Sequence, residues 1–364
     1  MQISAELHRT SIQVAARLLG VHHGIMMQAL WFQECKLVTK VLVPKGKGKV
    51  RETWKPEDAV KIVQEKLLEC LYKIPVSACI TGFVHKGGPI VNAAKHVVDG
   101  KIPQWTLQMD FKNAFDSVPY DDVLNIILEE LPCLVAEEDR LLIDDERIYK
   151  LVAKHFADVM TYEGRTPQGF ATSPYLFNLM LERIGLPGKI RKLCDSRGGG
   201  IVGSIYADDI TFSCVERIVS GSFGGNQQTG NPFSYRFVRE VERAMTKWGV
   251  FDVNSEKTRI THAARRAPQI TGIVLSYDSE GSPRLTLPSR TISRYRGWFQ
   301  RAAYLLEAGV TPNVKEHGFS LEQLRGHRAW FIGANRRSGT PSRHQLSIPS
   351  NLRGALTRFD EAYR

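Results

Sequence analysis

The stretch SIYADDITFS, residues 204–213, constrains the fold of this chain more than any other segment. Short β-forming runs precede and follow its Ala207–Asp209 centre, which is the pattern of a β-hairpin. Asp208 and Asp209 therefore stand side by side at a turn between apolar strands. Adjacent carboxylates repel each other and lose hydration there, so nearby cations or raised pKa values must compensate. The alternative is an ordinary solvated turn, in which acidic residues are common.

A third carboxylate ends another predicted strand. Residues 105–111, WTLQMDF, alternate apolar and polar side chains, and Asp110 lies on the polar face. No lysine or arginine lies within four residues of Asp208 and Asp209, so a divalent cation could neutralise this pair. Oxygen ligands without nitrogen or sulfur favour Mg²⁺ or Mn²⁺. Two such ions can activate an attacking hydroxyl and stabilise a leaving pyrophosphate.

The composition indicates a globular chain without a membrane anchor. Of the 364 residues, 43% are hydrophobic and 24% are charged, which argues against disorder, and this length suits two or three lobes. The sequence contains no run of about 18 apolar residues, so we expect no membrane helix, and its N-terminus does not have the pattern of a secretory signal. The six cysteines are scattered without a CxxC pair, so we expect neither zinc nor disulfides, and a cytoplasmic location.

The net charge of +11 is concentrated near the C-terminus. Residues 281–364 contain 14 lysine and arginine residues against five acidic residues, a net charge of +9, and only one of the 14 is a lysine. Arginine offers a planar fork for phosphates and stacks on bases. This segment is therefore predicted to bind nucleic acid, with a merely solvated basic surface as the alternative.

Helical and strand patterns alternate between loop signals, which predicts an α+β fold. Residues 57–73 repeat apolar side chains at helical spacing. Ser173 as N-cap and Pro174 at the first helical position begin a second helix, which is apolar on most sides. Residues 220–232, SGSFGGNQQTGNP, predict an exposed insertion.

Six segments resemble the motifs of reverse transcriptases, and they follow each other in the order of that family. YADD at 206–209 resembles the hairpin motif that carries the family's catalytic aspartates. The other five are QMDFKNAFDSV (108–118), TPQGFATSPYLFNLML (166–181), WGVFDVNSEKTRI (248–260), QITGIVLS (269–276) and VPKGKGKVRETWKP (43–56). NAAKH (92–96) and ITG (270–272) further resemble the NAxxH and VTG elements of retron enzymes, whereas DFKNAF is closer to other bacterial members.

The resemblance implies a right-hand polymerase fold with three lobes. The fingers would comprise residues 1–104 with part of 119–165. Residues 105–276 would form the palm, an antiparallel sheet with helices, and residues 277–364 a basic helical thumb.

The resemblance also implies the activity and the partners. We expect an RNA-directed DNA polymerase of a bacterial retron, which copies a cognate structured noncoding RNA into DNA in anti-phage defence. Its substrates would be dNTPs, its product an RNA–DNA hybrid, and its partner an effector protein. The alternatives are another defence-associated or group II intron-like bacterial reverse transcriptase, or a catalytically silent RNA-binding scaffold.

By the same resemblance, Asp110, Asp208 and Asp209 would hold two Mg²⁺ ions, with Mn²⁺ possible, and the backbone carbonyl of Phe111 would join them. Lys257 would stabilise or protonate the departing pyrophosphate, because a positioned cation serves developing phosphate charge. The alternative for Lys257 is a surface lysine at a helix end.

Five further residues are predicted to bind the incoming nucleotide. Phe115 lies five residues after the first metal aspartate, where the family carries a bulky ring that excludes a 2′-hydroxyl; its alternative is core packing. Arg51, and less firmly Lys47, would contact the triphosphate, although such basic runs are usually solvated loops. Gln168 and Gly169 precede the buried helix, and the glycine would allow close backbone approach to nucleotide or template; the alternative is a simple turn.

The remaining predictions concern RNA. Asn92 and His96 are one helical turn apart and would shape the fingers or contact RNA, with a buried structural histidine as the alternative. Arg290, Arg294 and Arg301 share one face of a predicted helix at 288–309 whose other face is apolar. Arg325 and Arg328 follow on a second helix that begins at Ser320, where Gln323 completes a capping box. These five arginines are predicted to bind duplex RNA through its backbone.

Overall fold

A computed structural model describes residues 4–46, 49–196, 200–215, 231–247, 249, 251–336 and 345–363. The chain groups into two compact units. Unit 1 comprises Met1–Lys86, Met109–Leu193 and Tyr235–Lys257, and unit 2 comprises Gly87–Gln108, Cys194–Ser234 and Thr258–Arg364. The division into fingers, palm and thumb stays a prediction. Within the described ranges, no helix has the length and apolar character needed to cross a membrane.

Helices and antiparallel strands alternate along the chain, in agreement with the predicted mixture. The helices are α1 (Ala5–Leu18), α2 (His23–Glu34), α3 (Asp58–Leu71), α4 (Pro89–Lys95), α5 (Tyr120–Leu134), α6 (Glu146–Met160), α7 (Ser173–Arg183), α8 (Leu186–Asp195), α9 (Tyr235–Thr246), α10 (Ser289–Glu307), α11 (Val314–His317), α12 (Leu321–Arg336) and α13 (Ser350–Tyr363). The strands are β1 (Val38–Gly46), β2 (Lys49–Pro56), β3 (Trp105–Lys112), β4 (Ile201–Tyr206), β5 (Asp209–Cys214), β6 (Asp252–Val253), β7 (Arg259–His262), β8 (Gln269–Ile270), β9 (Ile273–Tyr277) and β10 (Pro283–Thr286).

Unit 1 is a helical body that carries a β-hairpin. Helices α1, α2, α3 and α6 pack on one another. The helix predicted at 57–73 is α3, which buries Val60, Val63 and Leu67 at helical spacing. Strands β1 and β2 form an antiparallel hairpin in which Val43 faces Arg51.

A cluster of phenylalanine rings covers one face of β3 in unit 1. The Phe111 ring lies 5.5 Å from the Phe177 ring of α7 and 5.2 Å from the Phe251 ring. Because successive side chains of a strand alternate between faces, Asp110 points to the opposite side of β3. Helix α7 begins at Ser173, one residue earlier than predicted, since the Ser173 hydroxyl donates to the Pro167 carbonyl (2.7 Å) rather than capping the helix.

Unit 2 contains two antiparallel assemblies. Strands β4 and β5 form the predicted hairpin, and the first half of β3 pairs with β7. Strands β8, β9 and β10 form a separate sheet. The short helix α4 packs against β4 and β9 and contributes Ile90, Ala93 and Ala94 to a core shared with α10, α12 and α13. The insertion predicted at 220–232 lies outside the described residues except for its last two positions.

The C-terminal helices confirm the predicted patterns. Helix α10 buries Phe299 and Ala302 and exposes its arginine face. Ser320 and Gln323 form a reciprocal capping box at the start of α12, with N–H to side-chain distances of 3.1 Å and 3.0 Å. The sequence reading did not foresee α13, whose Phe359 ring packs 5.2 Å from Phe299.

Candidate active site

Asp110 is a buried carboxylate on β3 of unit 1. Asp110 is 5% exposed. Its carboxylate pairs with the ammonium group of Lys257, and the side-chain amide nitrogen of Asn254 lies 3.4 Å from the same carboxylate. A buried carboxylate is costly unless a cation or hydrogen-bond donors compensate it. Lys257 and Asn254 supply that compensation, so the structure brings together two of the predicted catalytic residues.

A short connection brings Lys257 to this position. The Asn254 N–H, just after β6, donates to the Asp110 carbonyl (2.8 Å), and the Lys257 N–H donates to the Asn254 carbonyl (3.0 Å). A single 3₁₀ turn, Ser255–Lys257, separates them. The Lys257 side chain is 51% exposed, so it reaches the buried carboxylate from the solvent side. Sequence spacing alone gave no sign of this ion pair.

Phe115 lies at the turn that follows β3. It begins a 3₁₀ turn, Phe115–Ser117, and its half-buried ring lies 5.6 Å from Phe177 and 6.0 Å from Phe83. The Thr166 hydroxyl donates to the Phe115 carbonyl at 2.5 Å. The ring therefore packs on Phe177 and stays partly exposed, which accords with either a sugar gate or a packing residue.

Gly169 adopts a backbone conformation that requires glycine. Its φ is +110°, and a Cβ atom there would lie 2.3 Å from the Trp54 carbonyl oxygen of β2. The Trp54 N–H also donates to the Gln168 carbonyl (2.7 Å). The β2 backbone therefore lies close to Gly169, and the approach of a nucleotide or template to this glycine stays a prediction.

Asp116 is a residue of this region that the sequence reading missed. Its carboxylate accepts the Gln168 N–H at 3.2 Å, and burial raises its pKa. Asp116 therefore holds the loop with Gln168 and Gly169 against the turn with Phe115. The available sequence signal was an acidic residue directly after Phe115, in a segment that is otherwise apolar or small.

Arg51 and Lys47 are the two residues predicted to contact the triphosphate. Arg51 is exposed on β2, three residues before Trp54. The hydrogen bond between Trp54 and Gln168 therefore anchors the strand that carries Arg51. Lys47 lies outside the described residues.

In unit 2, Ala207 and Asp208 form a two-residue hairpin turn, and Asp209 is the first residue of β5. Tyr206 pairs with Asp209 across the end of β4 and β5, and Ala207 has a φ of +53°. A two-residue hairpin loop needs such positive φ values, which are unusual for a residue other than glycine. Asp209 is exposed and Asp208 is half-buried. The pKa of Tyr206 is raised by burial and then by the charge of Asp209.

A buried histidine cross-links the strands behind this turn. His96 is fully buried, and its ring nitrogens lie 2.6 Å from the Ser213 hydroxyl on β5 and 2.8 Å from the Ser204 hydroxyl on β4. Burial lowers the pKa of His96 to about 3, so the ring is neutral at physiological pH. Asn92 is also fully buried. These observations favour the structural alternative for both residues over contact with RNA.

The predicted RNA-binding arginines fall into two groups. Arg290, Arg294 and Arg301 are exposed on α10, and the Arg294 guanidinium lies 5.2 Å from the Trp298 ring. Arg325 is exposed on α12 and lies over the Tyr363 ring. Arg328 instead binds both carboxylate oxygens of Asp360 on α13, and that hydrogen bonding raises its pKa. The contacts of Arg328 thus favour a structural role for it.

The predicted metal ligands lie in both units, with Asp110 in unit 1 and the turn aspartates in unit 2. Across the part of the chain that the structure describes, no group of three or more His, Cys, Asp or Glu side chains is arranged to hold a metal ion. The candidate donors are carboxylates and a carbonyl, which are the hard oxygen donors that Mg²⁺ prefers. Their chemistry therefore fits a hard divalent cation.

A family model described as reverse transcriptase (RNA-dependent DNA polymerase) matches residues 43–295. The match covers more than half of the chain. It includes β2, the Asp110 and Phe115 segment, the hairpin with Asp208 and Asp209, and Lys257.

Proposed function

Because this chain belongs to the reverse transcriptase family and is an RNA-directed DNA polymerase, we propose that Asp110, Asp208 and Asp209 form its catalytic centre, within a right-hand fold of fingers, palm and thumb. The observation that carries this assignment is the setting of Asp110. An apolar side chain would fill a buried strand position at lower cost than a carboxylate that needs Lys257 to compensate it. A role in catalysis explains why a carboxylate occupies that position.

The donor set suits two Mg²⁺ ions, with Mn²⁺ as the alternative. The carboxylates of Asp110, Asp208 and Asp209 and the Phe111 carbonyl would hold them. Bound there, the ions would lower the pKa of the primer 3′-hydroxyl and neutralise charge on the triphosphate. Asp209 is exposed, whereas a cation that binds Asp110 would displace the half-exposed ammonium group of Lys257.

The remaining residues of the site position the nucleotide. Lys257 can turn from Asp110 toward the charge that develops on the departing pyrophosphate. The Phe115 ring, supported by Phe177, would exclude a 2′-hydroxyl and select dNTPs. Arg51, together with Lys47, would bind the triphosphate. The backbone contact between Trp54 and Gln168 would keep Arg51 in register with the nucleotide.

We assign the template to RNA held by the C-terminal helices. Arg290, Arg294 and Arg301 are exposed on one face of α10, while Phe299 and Ala302 anchor the opposite face. Duplex RNA is recognised largely through phosphates and 2′-hydroxyls, for which such an arginine face is suited. Arg325 would extend this face.

Within the family, we propose that the chain is a retron enzyme. The two retron-like elements, NAAKH and ITG, are joined in unit 2 through helix α4, which carries most of NAAKH: the Thr271 hydroxyl of ITG donates to the Pro89 carbonyl at the start of that helix (2.9 Å). Both elements also contribute to one apolar core. A retron enzyme would copy a structured noncoding RNA in the cytoplasm, yield an RNA–DNA hybrid, and act with an effector protein in anti-phage defence.

Primer extension tests the catalytic assignment. The wild-type protein should extend a DNA primer on an RNA template with dNTPs and Mg²⁺, and EDTA should stop the reaction. The Asp208→Asn variant should lose extension while it retains its circular dichroism spectrum and its affinity for the primer–template. Extension by this variant within a few-fold of wild type would contradict the metal assignment. Sequencing the nucleic acid that copurifies with the protein tests the retron assignment, which requires one abundant RNA joined to its DNA copy.

A further inference from the structure

A basic groove lies on unit 1 between α8 and α9. It has a volume of about 370 Å³, and its charged lining residues are Lys189, Lys192, Glu240, Arg243 and Lys247. Lys192, Arg243 and Lys247 are exposed, whereas Lys189 is half-buried. The sequence predicted nucleic-acid binding for the basic residues of 281–364 and gave no role to the residues of this groove.

Positive charge dominates the groove. Four cations and one carboxylate, Glu240, line the groove, and Glu240 also pairs with Arg236 (3.0 Å). The pKa of Lys189 is lowered by burial and then by the charges of Lys247 and Lys192. Cations held this close repel one another, and a bound polyanion would relieve that repulsion.

The groove is separate from the catalytic residues of unit 1. Helix α8 follows α7, which packs on the Phe111 side of β3, and α9 packs on β6. Asp110 points to the other side of β3. None of the four cations is among the residues proposed to bind metal, nucleotide or primer–template.

We propose that the α8–α9 groove binds the phosphate backbone of RNA that extends beyond the primer–template duplex. The inference rests on the proposed function insofar as RNA is the template. Lys189 and Lys192 lie three residues apart on one face of α8, and Arg243 on α9 lies four residues before Lys247, which directly follows that helix. Contact through phosphates fixes the position of an RNA without reading its sequence, so the groove would hold structured RNA of many sequences.

The test is a salt titration of RNA affinity. The variant Lys192→Gln, Arg243→Gln, Lys247→Gln changes exposed residues only, so it should fold. The control variant Lys61→Gln, Lys150→Gln, Lys154→Gln removes the same charge from exposed lysines of α3 and α6. Two probes are compared: a short blunt primer–template, and the same primer–template whose RNA strand continues into a long stem–loop.

For the stem–loop probe, loss of three phosphate contacts should reduce the log–log salt slope by about two to three, at roughly 0.7–0.9 per phosphate. The short probe should bind and be extended as by wild type, and the control variant should leave the stem–loop slope nearly unchanged. Equal slopes for wild type and groove variant would overturn the inference, as would an equal loss in the control. Extension of the short probe by wild type reports the proposed function separately, so the two hypotheses can fail independently.

Discussion

The two units hold their proposed catalytic carboxylates by different means. In unit 1, Asp110 is buried on a strand, and the charge of Lys257 makes its burial possible. In unit 2, Asp209 is exposed next to a tight turn, and the buried His96 joins the two strands of that hairpin through two serine hydroxyls. One carboxylate depends on charge compensation and the other on the geometry of a hairpin. Variants can therefore separate catalytic loss from structural loss in each unit.

The largest expected effect comes from removing the carboxylates themselves. Asp110→Asn and Asp209→Asn should each reduce primer extension about 1,000-fold or more, because a lost metal ligand costs several kcal/mol at the transition state. Their stabilities should differ. Asp209→Asn should leave the free energy of unfolding within about 0.5 kcal/mol of wild type, because the residue is exposed. Asp110→Asn should alter it, since Lys257 then loses its anionic partner.

Single-turnover extension and urea unfolding of both variants provide the measurements. Near-wild-type extension by either one would remove that carboxylate from the catalytic centre. Equal stability changes in the two variants would break the contrast between a compensated and an exposed carboxylate.

The next largest effect should appear at the loop that holds β2 in unit 1. Gly169→Ala places a Cβ atom 2.3 Å from the Trp54 carbonyl oxygen at a φ of +110°. We expect a loss of about 2–4 kcal/mol in unfolding free energy, from backbone strain and the displaced strand together. The KM for dNTPs should rise as well, because Arg51 lies on the same strand.

Gly164→Ala is the matched control. Gly164 lies in the same loop with a φ of +77°, but an added Cβ atom would meet nothing within 4 Å. It should therefore cost only the conformational strain, about 1–2 kcal/mol, and leave the KM unchanged. Equal effects of the two substitutions would mean that the contact with Trp54 contributes neither to stability nor to the KM for dNTPs.

Much of this architecture could be predicted from local patterns. The hairpin around Asp208 and Asp209, the helix at 57–73 and the capping box at Ser320 each follow from spacing within one segment. The ion pair between Asp110 and Lys257, the role of Asp116 and the approach of Trp54 to Gly169 join residues distant in sequence. Periodicity within one element contains no information about such contacts. Arg325 and Arg328 show the same limit, because only the fold reveals that Asp360 binds one of them.

Acid should lower the free energy of unfolding through His96, which lies behind the β4–β5 hairpin. His96 has a pKa of about 3 in the folded chain against 6.5 for the free side chain. The unfolded chain binds the proton more readily, so this contribution to stability is fully present above about pH 6.5. It is lost at about 1.4 kcal/mol per pH unit as the pH falls toward 3.

The His96→Gln variant should therefore lose stability less steeply than wild type between pH 6.5 and 5, although it starts lower at neutral pH. His155→Gln is the control in unit 1, where burial lowers the pKa of His155 to about 4. That variant should show the same change of slope without disturbing the hairpin, so its Mg²⁺ requirement in primer extension should stay that of wild type. Parallel pH curves for wild type and His96→Gln would refute the role of the buried neutral ring.

The smallest effect should be on the choice between deoxyribonucleotides and ribonucleotides, which tests the role of Phe115 in unit 1. Phe115→Val removes a partly exposed ring whose centre lies 5.6 Å from that of the Phe177 ring. With room for a 2′-hydroxyl, incorporation of ribonucleotides relative to deoxyribonucleotides should rise about tenfold, which corresponds to roughly 1.4 kcal/mol. Phe251→Leu is the control, because the Phe251 ring also packs on Phe177 (5.2 Å). Loosening Phe177 through Phe251 should lower stability and leave sugar selection unchanged. If both variants shifted the ratio equally, the effect would come from the shared packing on Phe177, and Phe115 would be a core residue rather than the gate.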